Sequence, residues 1–201
     1  MDQAAITNIT ISTHNVNGYS RSKEFLHSLC VQAPHSIRAI QEHWLRPPYK
    51  KQFGVNQLRN LHPDFDGFGT SAMKKSSETG INLGRPYGGT GFIYSKNFSK
   101  CLKPVLSYSH DRVTIMELST QSYKILLINA YMPFYNSRDI GTNLTLYRDT
   151  VGYIDNIMSQ NPECKFMLLA ELNCNIYDSN HCYTKLIREL MINLSLAHFI
   201  F

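Results

Sequence analysis

Lys124-Ile125-Leu126-Leu127-Ile128-Asn129-Ala130-Tyr131-Met132-Pro133 is the stretch on which the fold turns. Its four consecutive aliphatic residues leave neither face polar, the pattern of a central strand covered on both sides. Downstream, Leu144, Tyr147, Val151, Ile154 and Met158 follow 3-4-3-4 spacing and predict an amphipathic helix. Residues 166–170 predict another buried strand that ends at Glu171, and residues 180–192 a closing helix. Upstream, strand-like runs near 65–72, 89–95, 101–109, 112–118 and 123–131 are separated by Gly, Pro, Ser and Asn. Nearer the N-terminus, Ile9, Ile11 and Thr13 alternate with period two, and Asn15 and Asn17 share their parity. Ser20 or Ser22 can cap a helix with Phe25, Leu26, Leu29 and Cys30 as its apolar positions, stopped by Pro34. Residues 36–41 predict a second strand with Glu42 at its end, and residues 49–61 a short basic helical stretch. Strands and helices that interleave in this way predict an α/β fold, a sandwich of two sheets with outer helices.

Composition bounds the answer. A chain of 201 residues fits one domain over 1–201, with 43% hydrophobic and 17% charged residues. No apolar run approaches the roughly 20 residues that span a bilayer, so no membrane is expected as a partner. Met1-Asp2-Gln3 does not begin a signal peptide, and the five cysteines are odd in number with no Cys-x-x-Cys pair. An intracellular, reduced chain is the expectation. Residues 1–62 carry seven Lys/Arg against three acids, and a basic face suits a polyanion. No segment reads as a dock for an obligate protein partner.

Polar residues at the ends of predicted strands are the candidate chemistry: Asn15 and Asn17, Glu42, Tyr131, and Glu171 with Asn173. Strand ends held by a core make rigid platforms. One carboxylate with amides nearby suits a hard cation such as Mg2+, which takes oxygen ligands and keeps several waters. No His/Cys group has zinc spacing; Cys174, His181 and Cys182 come nearest. Gly88-Gly89-Thr90-Gly91 leads into a strand and does not read as a phosphate cradle.

Several short motifs then fall in order. His14-Asn15-Val16-Asn17-Gly18 resembles an Asn-x-Asn/Asp-Gly motif, and Gln41-Glu42-His43-Trp44-Leu45 a Gln-Glu-x-x-Leu motif. Asn129-Ala130-Tyr131-Met132-Pro133 resembles Tyr-x-Pro, and Ala170-Glu171-Leu172-Asn173 stands where Gly-Asp-Phe-Asn is expected. Gly88 to Tyr94 and Asp111-Arg112-Val113 resemble two linking strands. Spread over residues 9–175, these resemble the endonuclease/exonuclease/phosphatase (DNase I-like) family, in wording closest to the endonuclease domains of non-LTR retrotransposons. The resemblance implies an α/β/β/α sandwich and metal-dependent phosphodiester hydrolysis, with DNA as partner, Mg2+ or Mn2+ as cofactor and a nuclear location. It implies Glu42 as metal ligand with Asn15 or Asn17 nearby and Tyr131 as a donor to the scissile phosphate. It also implies Asn173 as the residue that orients phosphate or water, and Glu171 in the place of an aspartate that activates the water. Arg46, Lys50, Lys51 and Arg112 are the candidate DNA contacts.

Two departures set expectations. Glu171 and Ala170 replace an aspartate and a glycine, and a misplacement near 1 Å can cost about a hundredfold. The family's terminal Ser-Asp-His motif does not occur in the 201 residues. The apolar end that includes Phe199 and Phe201 reads as the start of a further strand, hence a truncated domain with those rings poorly packed. The resemblance thus implies negligible nicking by the chain as it stands. Two alternatives stay open: a non-catalytic, decayed copy, and a phosphatase or phosphodiesterase of the same superfamily with another substrate.

Overall fold

In a computed structural model of the chain, residues 8–46, 56–73, 87–108, 110–135 and 138–193 are described; Lys50, Lys51, Phe199 and Phe201 lie outside them. The N-terminal alternation forms β1 (Thr10–Asn15), followed by helix α1 (Tyr19–Gln32). Neither Ser20 nor Ser22 caps α1. Its N-cap is Gly18, and the Ser22 hydroxyl instead donates to the carbonyl of Val16 at 2.5 Å, so the helix starts earlier than the serines suggested. β2 (Ser36–Gln41) is buried along its length. Of the basic stretch, Asn56–Asn60 forms a 3-10 helix, and residues 47–55 lie outside the described part. β3 (Phe65–Thr70) and β4 (Thr90–Ser95) complete a sheet of order β1-β2-β4-β3, with β1 and β2 parallel.

The second sheet holds β5 (Leu102–Pro104), β6 (Val113–Ser119), β7 (Lys124–Tyr131) and β8 (Lys165–Glu171) in that order, with β7 and β8 parallel. The crossover between them is helix α2 (Ile140–Ser159), and α3 (Cys182–Asn193) follows β8. The run predicted over 101–109 is only three residues of strand, because Pro104 has no N–H to extend the ladder. β8 is half-exposed rather than buried, since among the described residues it is the outer strand of its sheet.

Three apolar clusters define four layers, α/β/β/α. Leu26 and Cys30 of α1 pack on Ile40 and Ile93. Ile37, Ala39 and Phe92 of one sheet meet Met116, Leu118 and Leu127 of the other. Leu126 and Ile128 pack under Tyr147, Ile154, Tyr183 and Ile187 of α2 and α3. Strand parity therefore assigns the faces. Ile37, Ala39 and Gln41 point between the sheets, as do Leu127, Asn129 and Tyr131. At this end the interior becomes polar. Gln41 Nε2 donates to Asn129 Oδ1 at 2.7 Å and to Thr13 Oγ1 at 2.8 Å. Asn129 Nδ2 donates to the carbonyls of Ile40 and Gly91 at 3.0 and 2.7 Å. Thr114 reaches Thr90 and Thr70 across the same gap. These bonds tie the two sheets together just beneath the ends of β1, β2, β7 and β8.

Candidate active site

Because β1 runs parallel to β2 and β7 parallel to β8, each pair delivers its last residues to one end of its sheet. Asn15 pairs with Gln41 in one register and Tyr131 with Glu171 in the other. The packing of the sheets then brings the two ends together. Asn15 Nδ2 donates to Glu42 Oε1 at 3.0 Å and also to Glu171 Oε2. One amide nitrogen, from one sheet, thus joins carboxylates carried by both. Asn15 is itself held by the backbone N–H of Asn17, which donates to Asn15 Oδ1 at 2.9 Å.

The other strand-end residues surround this bridge. The Tyr131 hydroxyl lies beside Glu42; burial, first, and then the interaction with Glu42 raise its pKa. Asn173 Nδ2 donates to the carbonyl of Met132 at 2.7 Å, and the N–H of Met132 donates to the carbonyl of Glu171 at 3.0 Å. Those bonds fasten the loops after β7 and β8 to each other. Arg112, at the start of β6, sits with its guanidinium carbon 5.7 Å from the Tyr131 ring and donates to the Tyr131 carbonyl at 3.4 Å. Burial lowers its pKa, and the neighbouring Tyr131 and Asp111 act against that shift.

Sequence reasoning named Asn15, Glu42, Tyr131, Glu171, Asn173 and Arg112, and the fold brings these six to one end of the sandwich. Asn17 stands in the loop after β1 with its side chain exposed, so its backbone is what reaches the cluster. Arg46 is exposed two residues beyond Trp44, and Lys50 and Lys51 lie outside the described residues. Cys174, His181 and Cys182 do not assemble. Cys174 lies 3.5 Å from the Tyr147 hydroxyl, while the His181 ring packs on Tyr135 and Tyr183.

The backbone marks the same place. Among the described residues, non-glycine residues with positive φ are Asn17, Glu42, Trp44 and Asn173, at 45°, 54°, 56° and 51°. Left-handed backbone at non-glycine residues is uncommon and gathers at functional sites. The sequence offered Trp44 only as a packing ring or one that stacks on a base and gave His43 no role, and both are engaged here. Trp44 Nε1 donates to Glu42 Oε2 at 3.1 Å. His43, 1% exposed, accepts from the N–H of Leu45 at Nδ1 and donates from Nε2 to the carbonyl of Thr70 at 3.1 Å. The available signal was their place directly after Glu42.

Electrostatically, the site holds two carboxylates that share one neutral donor. Glu171 has its pKa raised, first by burial and also by the charge of Glu42, while the Asn15 bond acts in the opposite direction. A hard cation suits this donor set: oxygen atoms only, two carboxylates, and an N–H already lodged where positive charge is attracted. Among the described residues there is no group of three or more His, Cys, Asp or Glu side chains placed to hold a metal. Glu42 and Glu171 with solvent are then the set on offer.

No protein-family model matches the chain, and no curated protein matches it. Solved structures do. The AP endonuclease LMAP from Leishmania major superposes with a TM-score of 0.66 at 13% identity, over 92% of this chain and 66% of that one. The endonuclease domain of TRAS1, a telomere-specific non-LTR retrotransposon, gives 0.60 at 9% identity, over 92% and 69%. The 3' phosphatase NExo from Neisseria, bound to product DNA hairpin, gives 0.59 at 15% identity, over 92% and 70%. The chain thus spans about two thirds of the length of these proteins. At such identities the likeness establishes the fold alone: this chain has a DNase I-like two-sheet sandwich.

Proposed function

We propose that the chain is a metal-dependent phosphodiester hydrolase, a DNA-nicking endonuclease domain of a retrotransposon-derived protein. The observation that carries this reading is the meeting of Glu42 and Glu171, one from each sheet, on the amide of Asn15, with the Tyr131 hydroxyl beside them. The fold likeness to nucleases, the TRAS1 endonuclease domain among them, supports it. A divalent cation such as Mg2+ or Mn2+, held by Glu42, would supply charge neutralisation on the phosphate and a more acidic water. Tyr131 and Arg112 present donors to phosphate oxygens, which carry growing charge in the transition state. Asn173, anchored through its Nδ2, keeps Oδ1 available to orient a water. Glu171, joined to Glu42 through the Asn15 amide, takes the proton from that water as its oxygen bonds to phosphorus. One phosphorus–oxygen ester bond breaks, and the departing oxygen takes a proton. Exposed Tyr87, Phe134, Tyr135 and Tyr177 offer apolar faces of the kind on which bases stack. A nuclear location goes with that proposed action on DNA. No helix among the described residues is long and apolar enough to cross a membrane.

A second reading rests on Glu171 in the place of an aspartate: a domain that keeps the sandwich and not the activity. One assay separates the two. Supercoiled plasmid with Mg2+ or Mn2+ is treated with the 201-residue chain and with the chain extended by a Ser-Asp-His-bearing segment from a related endonuclease. A third protein is the extended chain with Ala170→Gly and Glu171→Asp. The first is expected to nick negligibly and the second slowly, with Glu42→Ala removing the activity. The third should be about ten- to a hundredfold faster than the second, the scale of correcting a 1 Å misplacement. No nicking by any of the three would defeat the hydrolase reading and leave the non-catalytic one.

A further inference from the structure

Hydrolysis as set out above makes no use of the indole of Trp44, yet the loop is built around it. Glu42 and Trp44, both with positive φ, flank His43 in a tight reversal after β2. Its carbonyls are taken by neighbours: Gly18 N–H donates to the Glu42 carbonyl at 2.8 Å and Tyr19 N–H to that of His43 at 2.9 Å. The N–H of Trp44 donates to the carbonyl of Gly88 at 3.0 Å. Two glycines admit the rings. A Cβ on Gly89, at φ +88°, would lie 2.3 Å from Cε1 of His43, and one on Gly18, at φ +100°, 2.6 Å from Cε3 of Trp44. Nothing larger than glycine fits either place. The outcome is a carboxylate with a fixed donor on each oxygen: Asn15 Nδ2 on Oε1 at 3.0 Å, and Trp44 Nε1 on Oε2 at 3.1 Å.

We infer that Trp44 is the positioning residue for Glu42. Its indole N–H holds one carboxylate oxygen, so the remaining lone pairs point to a cation without reorganisation. This rests on the reading of Glu42 as a metal ligand. Outer-shell donors of this kind are worth about 10–100-fold in metal affinity or activity. The competing role for Trp44 is ring packing against Gly18 alone. Trp44→Phe separates the two, because it keeps a ring and removes the N–H.

Trp44 is the only tryptophan in the chain, so the loop carries its own reporter. In a proton–nitrogen correlation spectrum of the labelled protein there is one indole N–H signal. Titration with Mg2+ is expected to move it saturably in the wild-type chain and to leave it still in Glu42→Gln. Mn2+ binding, read from the electron paramagnetic resonance of the free ion, is expected to be about tenfold weaker in Trp44→Phe. The thermal midpoint, by circular dichroism, should be retained in that variant. Unchanged Mn2+ affinity in a folded Trp44→Phe, or an indole signal indifferent to Mg2+ while Mn2+ binds, would overturn the inference and leave the metal reading standing. Wild-type protein that binds no Mn2+ would overturn both. If Trp44→Phe fails to fold, the wild-type and Glu42→Gln indole signals decide alone.

Discussion

Glu42 shows how much a single position asks of its neighbours. Held in left-handed backbone, it depends on His43, whose two ring nitrogens are both engaged and whose burial pushes its pKa from 6.5 down to about 4. A histidine lowered on folding takes up its proton first in the unfolded chain. Stability is then fully present above pH 6.5 and drains away as pH falls towards 4. His14 adds to the same slope, since burial, and after it the charge of Arg38, lower its pKa as well. Urea unfolding at pH 7 and pH 5 is expected to differ by about 2 kcal/mol more in the wild-type chain than in His43→Gln. Equal slopes in the two proteins would mean that His43 is not the buried neutral base described. Of these residues Glu42 was legible in the sequence, as an acid at a strand end. The role of His43 was not, because a histidine beside an acid reads equally well as surface.

At the scale of elements, α1 is closed by a residue from another strand. Arg38 of β2, 2% exposed, donates from Nη2 to the carbonyls of Leu29 and Ala33 at 2.5 and 3.2 Å and lies over the Phe65 ring. These carbonyls belong to the negative end of the helix, so a buried cation is compensated there without a carboxylate. Burial still lowers its pKa. Arg38→Met is expected to cost about 2–3 kcal/mol in chemical denaturation, the range for hydrogen bonds to a charged group. It should also speed amide exchange in the last turn of α1. Arg38→Lys should recover less than half, since an ammonium gives up the guanidinium's further contacts, from Nη1 to Cys30 Sγ at 4.0 Å and over the Phe65 ring. A melt of Arg38→Met that matched the wild type would remove this account of the helix end. Pattern alone located α1 and its stop before Pro34, but period-two reading counts Arg38 only as a charged residue within a strand.

Across the whole molecule, the two sheets are joined at the site end by buried amides. Gln41 is 1% exposed and Asn129 fully buried, and their bond links β2 to β7. Removing either side chain leaves buried polar atoms of the network short of a partner, Asn129 Oδ1 in one case and the Ile40 and Gly91 carbonyls in the other, at about 1–3 kcal/mol. Gln41→Met, Asn129→Leu and the double variant form a cycle. The double variant is expected to lose at least about 1 kcal/mol less than the sum of the singles, as partners in one network do. Additive losses would show that the amides act separately. The same bonds set the spacing between the ends of β1, β2, β7 and β8, so Gln41→Met should also disturb the indole signal of Trp44.

By itself, the sequence determined faces and ends. The run apolar on both faces at residues 125–128, the alternation through 9–13 and the polar residues that follow them are read from local geometry, because successive side chains on a strand point to opposite sides. It named Asn15, Glu42, Tyr131, Glu171 and Asn173 as a set, through short motifs in order. Only the tertiary structure decided that Asn15 touches Glu171, 156 residues away, on an amide shared with Glu42. Only it showed Asn17 contributing a backbone N–H rather than an inward side chain, and the Trp44 indole bound to Glu42. Such contacts depend on how two sheets pack and on loops in left-handed backbone. Those are set by side chains distant in the chain, and no local period encodes them.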